Sequence, residues 1–299
     1  MKILSVVGAR PQFVKAGVVS RELLRAHQEI LVHSGQHYDA NMSGVFFEEL
    51  GLPTPDENLG VGSGSHGEQT GKMLMALETC MLGHRPDLVL VYGDTNSTLA
   101  GTLAAAKLNL PIAHVEAGLR SFNREMPEEL NRVLTDRISA LLFCPTQAAV
   151  ENLAKEGLRE GVSLTGDVMY DALLQSLPAA RRRTEVSQQL GLWRGEYVVA
   201  TVHRASNTDE PANLAAIVEA LTRIEQQVVF PLHPRTRNRL AGTGLLDRLE
   251  AAPNVHVLDP QGYLEMLALM EPAGKILTDS GGVQKEAFLL GVPCVTMRE

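Results

Sequence analysis

Positive charge is in short supply in this 299-residue chain: 27 Lys and Arg stand against 35 Asp and Glu, a formal net charge of −8. Nucleic-acid binders usually carry a basic footprint, so that class is set aside. A small anionic ligand is still compatible, because a few local Arg, Lys and backbone N–H groups outweigh a diffuse negative background. Aromatic residues are also scarce, at 4%, but 44% hydrophobic and 21% charged residues give an ordinary globular profile, neither disordered nor fibrous. The three cysteines, Cys80, Cys144 and Cys294, have no C-x-x-C spacing and read as small buried side chains in a reducing compartment. No H-E-x-x-H, no paired Cys/His spacing and no Asp-x-Asp at a strand end is recognised, so no metal is expected. The absence of a G-x-S-x-G elbow speaks against a serine hydrolase. Long apolar runs are missing too. Ile3–Val7 is far shorter than a secretory or membrane-spanning segment, so no membrane partner is expected and the default location is the cytoplasm.

Short apolar runs alternate with amphipathic stretches, the pattern of βαβ units and parallel sheets. Strands are expected at Ile3–Val7, Glu29–His33, Leu88–Tyr92, Ile112–Glu116, Leu141–Cys144 and Ser163–Thr165, with helices between them such as Asn96–Leu108 and Glu128–Ser139. The second half repeats the style at Tyr197–Val202, Val228–Pro231, Val255–Leu258, Lys275–Thr278 and Cys294–Met297. Between the halves, residues 166–194 read as a polar stretch with a domain junction near Gly166–Asp171. The expected architecture is α/β, two Rossmann-like doubly wound parallel-sheet domains, 1–168 and 169–299. The chain stops at Arg298 and Glu299, directly after an expected strand that nothing would cover, so further chain is expected beyond it in the parent protein.

Ligands of open parallel sheets bind outside the carboxyl ends of the strands, and the polar residues gather there. After the first strand come Gly8, Arg10 and Pro11, then Lys15, a turn suited to an anion. After the third comes Gly93-Asp94-Thr95, where Asp94 or Thr95 also reads as a helix cap. The next strand ends in Glu116, a carboxylate that apolar surroundings tolerate poorly without a partner. Glu128 and Glu129 open a helix after Pro127, where the macrodipole alone would favour acids. If these carboxylates converge, like-charge repulsion raises at least one of them, leaving an acid beside a base. In the second half, His203 and Arg204 close one strand and His233 and Arg235 the next. Thr278-Asp279-Ser280-Gly281-Gly282 leads into a helix carrying Glu286, a backbone cradle for phosphate with a carboxylate for ribose hydroxyls.

The strings GARPQFVK, YGDTNSTLAG, HVEAGLRSFNREMPEELNR, TVHR, PLHPRTR and LTDSGGVQKEAFLLGVP occur in this order. Together they closely resemble the non-hydrolysing UDP-N-acetylglucosamine 2-epimerases, through essentially the whole chain. The resemblance implies a glycosyltransferase-B arrangement with substrate between the domains. It implies reversible interconversion of UDP-GlcNAc and UDP-ManNAc by anti elimination of UDP, through 2-acetamidoglucal, followed by re-addition. Asp94, Glu116 and Glu128 match the family's catalytic carboxylates, and His203 the residue that stabilises departing UDP. Arg10, His233, Ser280, Gly281, Gly282 and Glu286 match UDP contacts, with Lys15 in the motif of Arg10. No cofactor is implied, and a homodimer supplying polysaccharide precursors is. Ser206 stands where the family usually has glutamate, and Met266, near the uracil, where an aromatic is common. Gln36 and His37 match a pair that binds a second UDP-GlcNAc as activator in many bacterial members, within a segment that differs from theirs.

Three other readings compete: a glycosyltransferase of the same fold, a relative acting on another UDP-sugar or hydrolysing it, and an inactive nucleotide-sugar-binding fragment. The linked set Asp94, Glu116 and Glu128 speaks against the glycosyltransferase.

Overall fold

Apolar runs of four to six residues become strands here because both of their faces are covered by helices, so no polar alternation is needed. In the computed structural model, which describes residues 1–35 and 52–297, the chain divides into two units, Met1–Ala172 and Leu173–Glu299.

The first unit contains strands β1 (Lys2–Val7), β2 (Gln28–His33), β3 (Glu57–Asn58), β4 (Leu88–Tyr92), β5 (Ile112–Val115), β6 (Leu141–Cys144) and β7 (Val162–Leu164). Its helices are α1 (Arg10–Leu23), α2 (His66–His84), α3 (Asn96–Lys107), α4 (Pro127–Ile138) and α5 (Gln147–Lys155). The sheet runs β3-β2-β1-β4-β5-β6-β7 with every pairing parallel. Leu4, Val6, Val32, Val89 and Val91 are fully buried against Met73, Leu77 and Met81 of α2 and Ala100 and Ala104 of α3. Chain direction across the sheet reverses between β1 and β4. That switch point opens a crevice at the carboxyl ends of the strands, where ligands of such sheets bind.

Helix α6 (Val168–Ala180) carries the chain across the division, followed by α7 (Glu185–Gln189). The second unit then adds β8 (Tyr197–Thr201), α8 (Ala205–Thr208), α9 (Pro211–Thr222), β9 (Gln227–Pro231), α10 (Pro234–Gly242) and α11 (Leu245–Glu250). It ends with β10 (Val255–Leu258), α12 (Tyr263–Met270), β11 (Lys275–Thr278), α13 (Gly281–Leu290) and β12 (Cys294–Thr296). The order β10-β9-β8-β11-β12, again all parallel, repeats the first sheet's plan and puts its switch point between β8 and β11. Separate apolar layers cover its two faces.

Three differences from the sequence expectations have local causes. The stretch 166–194 holds two helices, and the first buries one stripe through Met169, Ala172 and Leu173 while Tyr170, Asp171 and Leu174 stay exposed. The two-residue edge strand β3 carries no periodic signal. Strand β5 stops at Val115 because Glu116 leaves the extended region for φ 77°. Among the described residues no helix is long and apolar enough to cross a membrane.

Candidate active site

At the first switch point two turns lie side by side. Gly8 and Ala9 follow β1, and Gln12 in the first turn of α1 accepts from both of their N–H groups, at 2.8 and 3.0 Å. Its amide nitrogen then donates to the Tyr92 carbonyl and the Thr98 hydroxyl, at 2.8 and 3.0 Å, linking the β1 turn to the β4 turn. A side chain at Gly8 would strike the hydroxyls of Ser34 and Ser97, which are themselves 2.7 Å apart. Glycine is therefore required by the close approach of these turns.

Beyond β4, Thr95 caps α3, which leaves the Asp94 side chain, one-third exposed, to pair with Arg132 of α4. Asn131 fixes the same turn by donating to the Asp94 carbonyl at 2.9 Å. Beyond β5, Glu116 pairs with Lys15 of α1, both almost buried at 14% and 7% side-chain exposure. Glu116 adopts a left-handed backbone, φ 77°, where a non-glycine residue costs on the order of 1–3 kcal/mol. The N–H groups of Glu116 and Ala117 both donate to the Phe143 carbonyl, at 3.1 and 3.0 Å, and hold that conformation. The turns share a ladder bond from Gly93 N–H to the Val115 carbonyl, 2.9 Å. Gly93 itself, φ 62°, leaves room for the ion pair: a Cβ would sit 3.2 Å from Lys15 Nζ and 3.3 Å from Glu116 Oε2.

Where like-charge repulsion was expected, two of the crevice carboxylates each have their own cation, Lys15 for Glu116 and Arg132 for Asp94. Of the acids opening α4, Glu128 is exposed. Its neighbour Glu129 is buried and accepts from Ser121 N–H, Ser121 Oγ and Phe122 N–H, each at 2.9 Å, and from Arg132 at 2.7 Å. Burial works to raise the Glu129 carboxyl, but these donors hold it below the usual range. Glu129 therefore shapes the loop before α4, and Glu128 is the acid left facing outward.

Beneath the turns lies a network that the sequence reading did not single out. His114 in β5 is fully buried. Its Nδ1 lies 2.7 Å from Asp136 Oδ1 and its Nε2 2.7 Å from the Gly93 carbonyl. Asp136 also accepts from Arg120 at 2.7 Å and from Gly118 N–H at 3.0 Å. Burial works to raise the Asp136 carboxyl, but His114 and Arg120 hold it below the usual carboxylate range. Arg120 in turn grips Glu156 at 2.7 and 2.8 Å. Replacing His114 by Phe should lower the unfolding free energy by about 3 kcal/mol in a urea titration, since it strips a partner from a buried charge. A loss below about 1 kcal/mol would show that Arg120 alone satisfies Asp136.

At the second switch point Asp279 organises the turn after β8. It is fully buried and accepts from His203 N–H at 3.1 Å, Arg204 N–H at 3.0 Å and Asn207 Nδ2 at 3.0 Å. His203 Nδ1 lies 3.1 Å from its Oδ1, and Arg204 Nε donates to its carbonyl at 2.7 Å. Burial works to raise Asp279, but these hydrogen bonds hold it at about 2. His203 remains 46% exposed, its ring fixed at one nitrogen. Ser280 caps α13 by accepting from Val283 N–H, which leaves the exposed Gly281 and Gly282 to present N–H groups outward, with the positive end of the helix dipole behind them. Glu286 is half-buried one turn on. His233 is exposed at the N-cap of α10, where its ring accepts from Arg235 N–H.

Met266 is buried in the apolar layer with Val199 and Met270. Arg10 is the first residue of α1, and its side chain lies outside the described residues, as do Gln36 and His37. Among the described residues no group of three metal-ligating side chains converges at either crevice. Gln12, Asn131, Arg132 and the His114 network carried no sequence signal, because their partners come from distant elements. Asp279 did carry one: like Glu116, it is an acid at the end of an apolar strand.

The chain matches the family model described as UDP-N-acetylglucosamine 2-epimerase over residues 21–299. It is 54% identical to a UDP-N-acetylglucosamine 2-epimerase homolog of Methanococcus maripaludis, covering 100% of this chain and 84% of that one. A UDP-2,3-diacetamido-2,3-dideoxy-D-glucuronate 2-epimerase of Pseudomonas aeruginosa is also 54% identical, with coverage of 100% and 84%. Among solved structures, the UDP-GlcNAc 2-epimerase of Methanocaldococcus jannaschii, in complex with UDP-GlcNAc and UDP, superposes with a TM-score of 0.91 at 46% identity, covering 100% of this chain and 84% of that one. The chain belongs to the UDP-N-acetylglucosamine 2-epimerase family.

Proposed function

We propose that this protein interconverts UDP-GlcNAc and UDP-ManNAc by inverting C2 of the sugar. The observation that carries the reading is the pair of turns after β4 and β5, which present Asp94 and Glu116 from adjacent strands, each held by its own cation. A carboxylate takes the C2 proton while the C1–O bond breaks and its electron pair leaves with UDP, giving 2-acetamidoglucal. The proton returns to the opposite face of C2, and UDP adds back to C1. Nothing is oxidised overall. Asp94, Glu116 and Glu128 are the proton-transfer set. Lys15 and Arg132 fix the geometry of two of them, so each is aimed rather than free to rotate.

In the second unit, the N–H groups of Gly281 and Gly282 and the ring of His203 receive the diphosphate whose charge grows as UDP leaves. Arg10 and His233 belong to the same set, and Glu286 takes the ribose hydroxyls. Met266, buried in the core, supports the uracil side from beneath. Gln36 and His37 contact a second UDP-GlcNAc that acts as activator. The working form is a homodimer in the cytoplasm supplying a polysaccharide precursor, which light scattering on the purified protein and cell fractionation test.

A second reading has specific support, since the diacetamido-uronate epimerase of Pseudomonas aeruginosa is as similar in sequence as the Methanococcus relative. The two substrates differ by a carboxylate at C5 and an acetamido group at C3. Incubation with each sugar nucleotide, followed by anion-exchange chromatography, separates them. A kcat/KM at least about tenfold higher for UDP-GlcNAc is expected. A preference for the uronate transfers the assignment to that substrate.

A further inference from the structure

Away from both crevices, Glu57 of β3 meets Cys80 and His84 of α2, and the carboxylate, thiol and imidazole ligand atoms all lie within 4.8 Å of one another. We propose that these three side chains form a binding site for a zinc-type divalent cation, which pins the edge strand β3 to α2. No such site was expected from the sequence. Cys80 and His84 are four residues apart, so the helix puts them on one face, one above the other. The third ligand comes from a strand too short to be recognised, and neither helical residue alone reads as a motif.

The local structure is suited to the role. His84 Nε2 lies 2.5 Å from Glu57 Oε1. An ion with bonds of about 2.0–2.3 Å spaces its ligand atoms roughly 3.3–3.7 Å apart, a shift that small side-chain rotations supply. The helix turn bearing the ligands is fixed: Arg85 ends α2 in the left-handed conformation, and Lys2 Nζ donates to the His84 carbonyl at 2.9 Å. Cys80 is buried, while the His84 and Glu57 side chains keep 31% and 39% exposure, which opens an entry path and a fourth position for water. Without metal, burial and then the neighbouring Glu57 carboxylate push the Cys80 thiol up to about 12. Binding replaces the thiol proton by the cation, releasing that proton to solvent, and His84 supplies its Nε2 lone pair to the metal. Thiolate, imidazole and carboxylate together favour zinc over magnesium or calcium.

The site's role is structural. It lies at the end of α2 opposite His66, whose ring is 3.1 Å from Asn96 beside the Asp94 turn, and roughly 27 Å of helix separates the two. The test uses the full chain, stripped with a chelator and titrated with cobalt(II) and then zinc. The expected result is one cobalt per chain with a thiolate-to-cobalt charge-transfer band, displaced by zinc, and a raised melting midpoint with zinc bound. Cys80→Ser should lose the band and weaken zinc binding on the order of a hundredfold, with far-UV circular dichroism and epimerase turnover unchanged. Glu57→Gln, at a half-exposed position, should weaken binding without disturbing the fold and guards against a folding defect in the Cys80 variant. Sub-stoichiometric binding to the wild type, or a cobalt spectrum and affinity that survive Cys80→Ser, overturns the proposal. Either outcome leaves the epimerase reading untouched, because that is read from turnover of the sugar nucleotide.

Discussion

Glu116→Gln lowers kcat by on the order of 10³-fold while UDP binds within about threefold of wild type. The substitution keeps the size of the side chain but removes the ability of the group to take a proton, together with the charge that pairs with Lys15. The structure already pays for placing this residue: Glu116 is held at φ 77° by two N–H bonds to the Phe143 carbonyl, and a glycine or asparagine would occupy that conformation with less strain. A fold that needed only an ion pair with Lys15 would not require the carboxylate at a strained position facing a switch-point crevice. UDP binding is expected to survive because Glu116 is not among the residues assigned to the diphosphate and the ribose. Single-turnover kinetics and calorimetric titration with UDP separate the two. A variant with more than about a tenth of wild-type kcat removes Glu116 from the proton-transfer set.

Asp279→Asn is the second large effect, and it acts through position rather than chemistry. The carboxylate accepts from the His203 and Arg204 backbone, from Asn207 and from the His203 ring, all as donors. An amide turns one acceptor oxygen into a donor nitrogen facing donors, so the turn after β8 loses its organising group. The unfolding free energy should fall by about 3 kcal/mol, and UDP affinity by at least about tenfold as His203 loses its aim. The pH dependence follows in sign. Asp279 is held at about 2 in the folded protein against an ordinary 3.8, so the unfolded chain takes up the proton first. The stabilisation is complete above the unfolded value and is lost as pH falls through the folded one, an amount of about 2 kcal/mol. Urea titrations at neutral pH and near pH 2 should therefore show the gap between wild type and variant shrinking on acidification. A gap independent of pH would mean the variant acts by loss of packing and not by loss of the charge.

These two residues also show how far the sequence can be read. Both sheets were legible because strands buried on both faces appear as unbroken apolar runs: Leu88–Tyr92, Leu141–Cys144, Val255–Leu258 and Lys275–Thr278 fall where expected. Asp94, Glu116, His203 and Asp279 stand at the carboxyl ends of such strands, so one topological rule leads to all four. The rule says nothing of their partners. Lys15 and Arg132 come from α1 and α4, and only the folded order β1-β4-β5 brings them beside Glu116 and Asp94. That is why repulsion between acids was expected where ion pairing is found. Only the family resemblance, and no local pattern, separated Glu128 from Glu129 in the sequence, for a different reason. Successive helical residues diverge by about 100°, so one acid faces outward and the other enters the loop, and no local pattern says which. The α6 stripe was hidden by the polar run 181–185 that directly follows the helix, and β3 by its length.

The central claim is that this chain removes and returns the C2 proton of a UDP-sugar while keeping the nucleotide. Proton NMR of UDP-GlcNAc incubated with the protein in D₂O reads both halves of it at once. The account predicts deuterium at C2 in a mixture of UDP-GlcNAc and UDP-ManNAc, with UDP re-attached. UDP and free ManNAc accumulating together would show a hydrolysing enzyme, and UDP-ManNAc retaining its C2 proton would contradict the elimination mechanism outright.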